Sequence, residues 1–162
     1  MADPTDVLAA EQTTDEQVAA LYNLVKYAPT SMSPQPLRIL VVRTKAARER
    51  LAGHMSKGSR VKIAAAPLTA VLAYDPAFHE PRGIDVARLN ALIQVGYFIL
   101  GVRALGLAAD PMTDFGNEGM DREFFAASGY KSLVVATIGK PGENAWFPRD
   151  PGLEAQDVIT TV

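Results

Sequence analysis

The sequence predicts a layered domain, α+β or α/β, wrapped around one sheet. Three observations carry this. Four short apolar or β-branched runs, "LRILVVRT", "LTAVLAYD", "LAADPM" and "YKSLVVATIGKP", have the length and composition of strands. The segments between them carry apolar residues at helical spacing instead. One such segment, 85–105, is apolar on nearly every side, so it needs cover all round.

The elements follow in order. At "TTDEQVAALYNLVKYAP" a capping signature pairs Thr13 with Glu16, or Thr14 with Gln17. Val18, Leu21, Leu24 and Val25 then repeat at helical spacing, and Pro29 stops the helix. The first strand is "LRILVVRT". "KAARERLAGHMSKGSRVKIAAAP" reads as one or two amphipathic helices, broken near Gly53 or Gly58. "LTAVLAYD" is the second strand, and "PAFHEPRG" a turn-rich link into the long helix, which ends at Gly106. "LAADPM" is the third strand, "GMDREFFAAS" a short helix, "YKSLVVATIGKP" the fourth strand and "GENAWFPRDPG" an irregular tail. Residues 1–12 are expected to be poorly ordered. Residues 1–162 are expected to form a single domain, since this length supports one real core and is short for two.

Composition narrows the function classes. A net charge of −2 argues against nucleic acid as a partner. The apolar stretch 87–109 is interrupted by Arg88, Asn90, Gln94 and Arg103, which makes it a buried helix rather than a membrane span. The N-terminus shows no secretory pattern, so a cytoplasmic protein is expected. Zero cysteines exclude disulfides, thiolate metal sites and a cysteine nucleophile. His54 and His79 lack metal-ligand spacing, so no metal is expected. The chain contains no nucleophile elbow, phosphate-binding P-loop or dinucleotide fingerprint. No carboxylate pair stands out, and no catalytic side chain is assigned. Catalysis would depend on chemistry brought by a cofactor.

Three segments set polar residues beside constrained backbone. "PTSMSPQP" holds Thr30, Ser31, Ser33 and Gln35 between Pro29, Pro34 and Pro36. Its plain reading is a helix stop with a serine-rich turn. "DPMTDFG" leaves a strand and enters a helix start, where backbone N–H groups could face a ligand; the plain reading is a simple connection. Lys62 lies near the start of an apolar helix, where a lone lysine is usually solvated.

Taken in order, "LVKYAPTSMSPQPLRILVVRT", "SKGSRVKIAAAPLTAVLAYD", "RLNALIQVGYFILGVRALGLAADPMTDFG", "YKSLVVATIGKP" and "FPRDP" resemble the FMN-dependent nitroreductase family. The nearest branch is that of the malonic semialdehyde reductases. The resemblance spans about 15–151. It implies an α+β, nitroreductase-like three-layer fold: a mostly antiparallel central sheet flanked by helices, with the long helix buried at a homodimer interface. It further implies FMN as cofactor and NADH or NADPH as co-substrate. The acceptor would be a small molecule such as a nitro compound, quinone or aldehyde.

Residue by residue, the family's P-[ST]-S-x-N-x-[QS]-P loop, which grips FMN, matches Pro29, Thr30, Ser31, Ser33, Gln35 and Pro36, with Ser33 in place of asparagine. The family's asparagine and lysine before the second strand fall on Ser59 and Lys62. A cation there would favour the negative charge that a reduced flavin gains. The flavin-facing turn falls on 111–115, including Met112, Thr113 and Asp114, with Asp114 in place of glycine. The basic partner of the FMN phosphate falls on Arg149, while a second basic position holds Phe147.

Two departures are larger. The family's N-terminal arginine pair has no counterpart in "DVLAAEQ", and the lid insertion is cut to "PAFHEPRGID". Two alternatives therefore stay open beside the reductase. One is a degenerate member that binds flavin or another ligand without turnover. The other is a biosynthetic tailoring enzyme that repurposes the fold.

Overall fold

The computed structural model describes residues 8, 13–78, 83–143, 145, 148 and 151–162. Helix α1 (Asp15–Val25) starts at Thr14 with a reciprocal cap. The Thr14 hydroxyl accepts the Gln17 N–H at 3.2 Å, and the Gln17 side chain accepts the Thr14 N–H at 2.8 Å. Of the two capping pairs the sequence offered, this is the one formed. Such a cap contributes about 1 kcal/mol.

Strands β1 (Leu37–Val42), β2 (Leu68–Tyr74), β3 (Ala108–Met112) and β4 (Lys131–Gly139) form one sheet in the order β1-β2-β4-β3. Every pairing is antiparallel. The sheet is sandwiched, and β2 is buried at all seven positions because both of its faces are covered. Leu68, Ala70 and Leu72 pack with Val134, Ala136 and Ile138 beneath α1 and α4 (Ile84–Ala104). On the opposite face, Val71, Ala73 and Val135 meet Leu51, Ile63 and Met120 from α2 (Lys45–His54), α3 (Lys57–Ala65) and α5 (Asn117–Phe124). Period-two alternation thus separates two cores, and the architecture is the expected three-layer α+β sandwich.

The expected break between amphipathic helices falls at Met55 and Ser56, between the two glycines. A short helix, α6 (Ala155–Val158), follows the segment 142–152 that the sequence predicts as an irregular tail. Apart from Leu8, which bridges Pro141, the expectation for residues 1–12 lies outside the described residues.

Helix α4 is only partly covered by its own chain, as its apolar surface leads one to expect. A single chain covers only one side of it, burying Ala87, Asn90, Ala91, Val95, Phe98, Gly101 and Val102. Leu89, Leu92 and Leu100 remain exposed. The helix is long and apolar enough to cross a bilayer, yet it packs on the sheet and carries a fully buried asparagine. Gly101 allows α1 to approach closely: a Cβ there would sit 2.7 Å from both Leu21 and Val25. Gly96 has open space instead.

Candidate functional site

The connection between α1 and β1 is held against α4 by its main chain. Three polar residues of that helix, spaced one turn apart, do the holding. The Asn90 Oδ1 accepts the Ser31 N–H at 2.7 Å, the Gln94 Oε1 accepts the Leu37 N–H at 3.0 Å, and the Tyr97 hydroxyl donates to the Pro29 carbonyl at 3.0 Å. Inside the loop, the Thr30 hydroxyl donates to the Pro34 carbonyl at 2.8 Å. Met32 and Ser33 both adopt left-handed backbone, with φ of 68° and 59°. Two consecutive non-glycine residues there are strained, and such strain persists only where surrounding contacts impose it. With the loop anchored in this way, the side chains of Ser31, Ser33 and Gln35 stay exposed and make no hydrogen bond among the described residues.

A second cluster lies where the β3–α5 turn meets the start of α3. Its main chain is stitched by Ser56 N–H to the Asp114 carbonyl at 3.0 Å and Gly116 N–H to the His54 carbonyl at 3.1 Å, with a bridge between Met55 and Phe115. The Asp114 carboxylate accepts the Ser56 hydroxyl and, at 2.8 Å, the Ser59 hydroxyl. These bonds, Ser56 first and then Ser59, hold the Asp114 carboxyl below its ordinary range. The Ser56 hydroxyl does not cap its own helix, so Asp114 places the negative charge that a helix N-terminus favours. One turn further along α3, Lys62 pairs with Asp110 at 2.8 Å.

The predicted residues thus fall into two groups. Thr30, Ser31, Ser33 and Gln35 share the loop on α4. Ser59, Lys62, Thr113 and Asp114 meet at α3. Ser59 is buried and its single proton is committed to Asp114, while Lys62 keeps further N–H donors. The Met112 side chain is buried in the core beneath α3 and α5, so only its backbone is placed for contact. Arg149 and Phe147 lie outside the described residues. The two groups occupy opposite faces of the sheet, at its two edge strands, β1 and β3. Three interstrand spacings separate those edges, roughly 14 Å.

Sequence reasoning missed Asn90, Gln94, Tyr97, Ser56 and Asp110. One signal was available. Asn90, Gln94 and Tyr97 stand at i, i+4 and i+7 of an otherwise apolar helix, which places three hydrogen-bonding groups on one face.

Comparison with known proteins adds an independent line. The model of the nitroreductase family matches residues 8–70. A Streptomyces griseus protein named "Putative NADH dehydrogenase/NAD(P)H nitroreductase" is 47% identical over 172 positions, covering 94% of this chain and 87% of that protein. A similarly named Streptomyces coelicolor protein is 48% identical over the same shares. Among solved structures, a "putative nitroreductase" of Bacillus subtilis superposes with a TM-score of 0.85 at 18% identity, covering 98% of this chain and 93% of that one. A "putative nitroreductase in complex with FMN" of Exiguobacterium sibiricum gives 0.81 at 16% identity, covering 98% and 91%. At such identities the structural likeness is one of fold.

Proposed function

Because the chain belongs to the nitroreductase family, we propose that it is an FMN-dependent NAD(P)H oxidoreductase. On this reading it works as a homodimer and reduces a small acceptor such as a nitro compound, quinone or aldehyde. The family and the names of its relatives support an oxidoreductase; FMN, the acceptor class and the assembly are the finer parts of the proposal.

The observation that carries it is the loop at residues 29–36, whose main chain is anchored to α4 at Pro29, Ser31 and Leu37 while the side chains of Ser31, Ser33 and Gln35 stay exposed. That arrangement fits a flavin. Ser31 and Ser33 can donate to ring or phosphate oxygens, and Gln35 can donate or accept. A loop already rigid loses little freedom on binding, so more of each contact appears as affinity. Lys62 offers its remaining N–H groups to a developing negative charge, and Arg149 supplies the cation for the phosphate. Bound FMN would contribute the hydride-transfer chemistry itself.

The separation of the two clusters across the sheet supports a homodimer, since one bound molecule is then reached by the loop of one copy and the α3 cluster of the other. The exposed leucines of α4, with Leu24, Tyr27 and Met32 nearby in sequence to the loop, offer the apolar surface such contact needs. A cytoplasmic setting accords with the absence of cysteine.

A second reading has its own support. Asp114 consumes the Ser59 hydroxyl and Asp110 engages Lys62, which suits a member that binds flavin without turnover. Titrating the purified protein with FMN, followed by the visible spectrum and sedimentation, separates these readings. The proposal expects a flavin spectrum, a dimer near twice 17.4 kDa and NAD(P)H oxidation with a quinone. Binding without oxidation supports the second reading. Failure to bind FMN sinks both.

A further inference from the structure

The strained loop needs a restraint, and the structure supplies one in Asn90. This residue is fully buried within the face of α4 that packs on the sheet. Both ends of its amide are engaged. The Oδ1 accepts the Ser31 N–H at 2.7 Å, and the Nδ2 donates to the Val86 carbonyl at 2.9 Å. A carbonyl donor group is impossible and an N–H acceptor equally so, which settles the amide orientation. The bond to Ser31 lies immediately before Met32 and Ser33, the two residues in left-handed backbone. Left to itself, a non-glycine pair would relax out of that region. Relaxation would strip the Ser31 N–H of its partner and leave a buried acceptor unsatisfied, so the restraint is costly to break.

We infer that Asn90 is a positioning residue: it holds residues 31–33 in their strained conformation and thereby sets flavin affinity without touching the flavin. The affinity half of this inference rests on the flavin reading above; the restraint itself does not. Gln94 and Tyr97 fasten the two ends of the same loop and Thr30 braces it from within, while Asn90 is the α4 residue bonded at Ser31, next to the strained pair.

The test is amide hydrogen exchange on the full chain, alongside FMN titration. Asn90→Ala is expected to accelerate exchange at the Ser31 amide at least about tenfold and to weaken FMN binding by a similar factor. The amides of β2 and β4 should keep their protection. Met32→Asn, at an exposed position and with a residue that tolerates left-handed backbone, is the second variant. Alone it should slow exchange at Ser31, and in the Asn90→Ala background it should recover part of the lost FMN affinity. Three results overturn the inference: unchanged exchange at Ser31 in Asn90→Ala, equal acceleration across the β2 and β4 core, or no effect of Met32→Asn. If the unmodified protein binds no FMN, the flavin reading fails, and the exchange results alone decide whether Asn90 restrains the loop.

Discussion

The loop on α4 and the turn at α3 solve opposite problems with the same few residue types. In the loop, helix side chains anchor the main chain at three points, and the serines and Gln35 remain exposed. In the turn, the main chain satisfies itself and the side chains are spent inward, with two serines on Asp114 and Lys62 on Asp110. A serine is therefore a candidate contact in one region and a structural tie in the other. Neighbours decide the role, and residue type does not.

The largest way to break this contrast acts beneath the loop. Gly101→Glu places a carboxylate against Leu21 and Val25, where α1 crosses α4. An uncompensated buried charge costs on the order of 3–5 kcal/mol, so thermal or urea denaturation should show a severe loss. Gly96→Glu on the same helix meets nothing within 4 Å. It should leave monomer stability within about 0.5 kcal/mol, and sedimentation should show the proposed dimer dissociating. A dimer that survives Gly96→Glu would move the interface off this part of α4.

At the turn, Asp114→Asn removes the charge that holds Ser56 and Ser59. The expected loss is about 1 kcal/mol at neutral pH, below the usual value for charged hydrogen bonds because the group is well solvated. The folded carboxyl has a lowered pKa. Its contribution is therefore full above the ordinary aspartate value near 3.9 and is lost as pH falls through the lower folded value. Denaturation curves of the two proteins should converge in acid. A gap that persists well below that value would assign the effect to packing.

Smaller effects sharpen the comparison. The Lys62–Asp110 pair is partly exposed, so Asp110→Asn should change stability by a few tenths of a kcal/mol. Its effect should appear in the flavin potential instead, which should rise with Asp110→Asn and fall with Lys62→Met. No movement in either would return Lys62 to a surface role. Ser31→Ala and Ser33→Ala should leave stability within about 0.5 kcal/mol while weakening FMN in titrations. A stability loss without an affinity loss would make these serines structural, like those at the turn.

The layered fold was legible because its signals are local. The Thr14 and Gln17 cap, the β-branched runs and the breaks at proline or glycine each act within a few residues. The polar loop between three prolines stood out for the same reason. Ser59 and Asp114 were harder, since they are 55 positions apart and a sequence carries no sign that one accepts from the other.

By itself, then, the sequence determined which segments are helix and strand, which residues are apolar enough to be cored, and which loop is stiff. Those properties follow from backbone sterics and side-chain periodicity, which operate over one or two turns of chain. The tertiary structure alone decided that Asn90 serves the loop, that Asp114 claims Ser59, and that the two candidate clusters lie on opposite faces of the sheet. A hydrogen bond is short and directional, so its partner is known only once packing has brought distant segments within about 3 Å of each other.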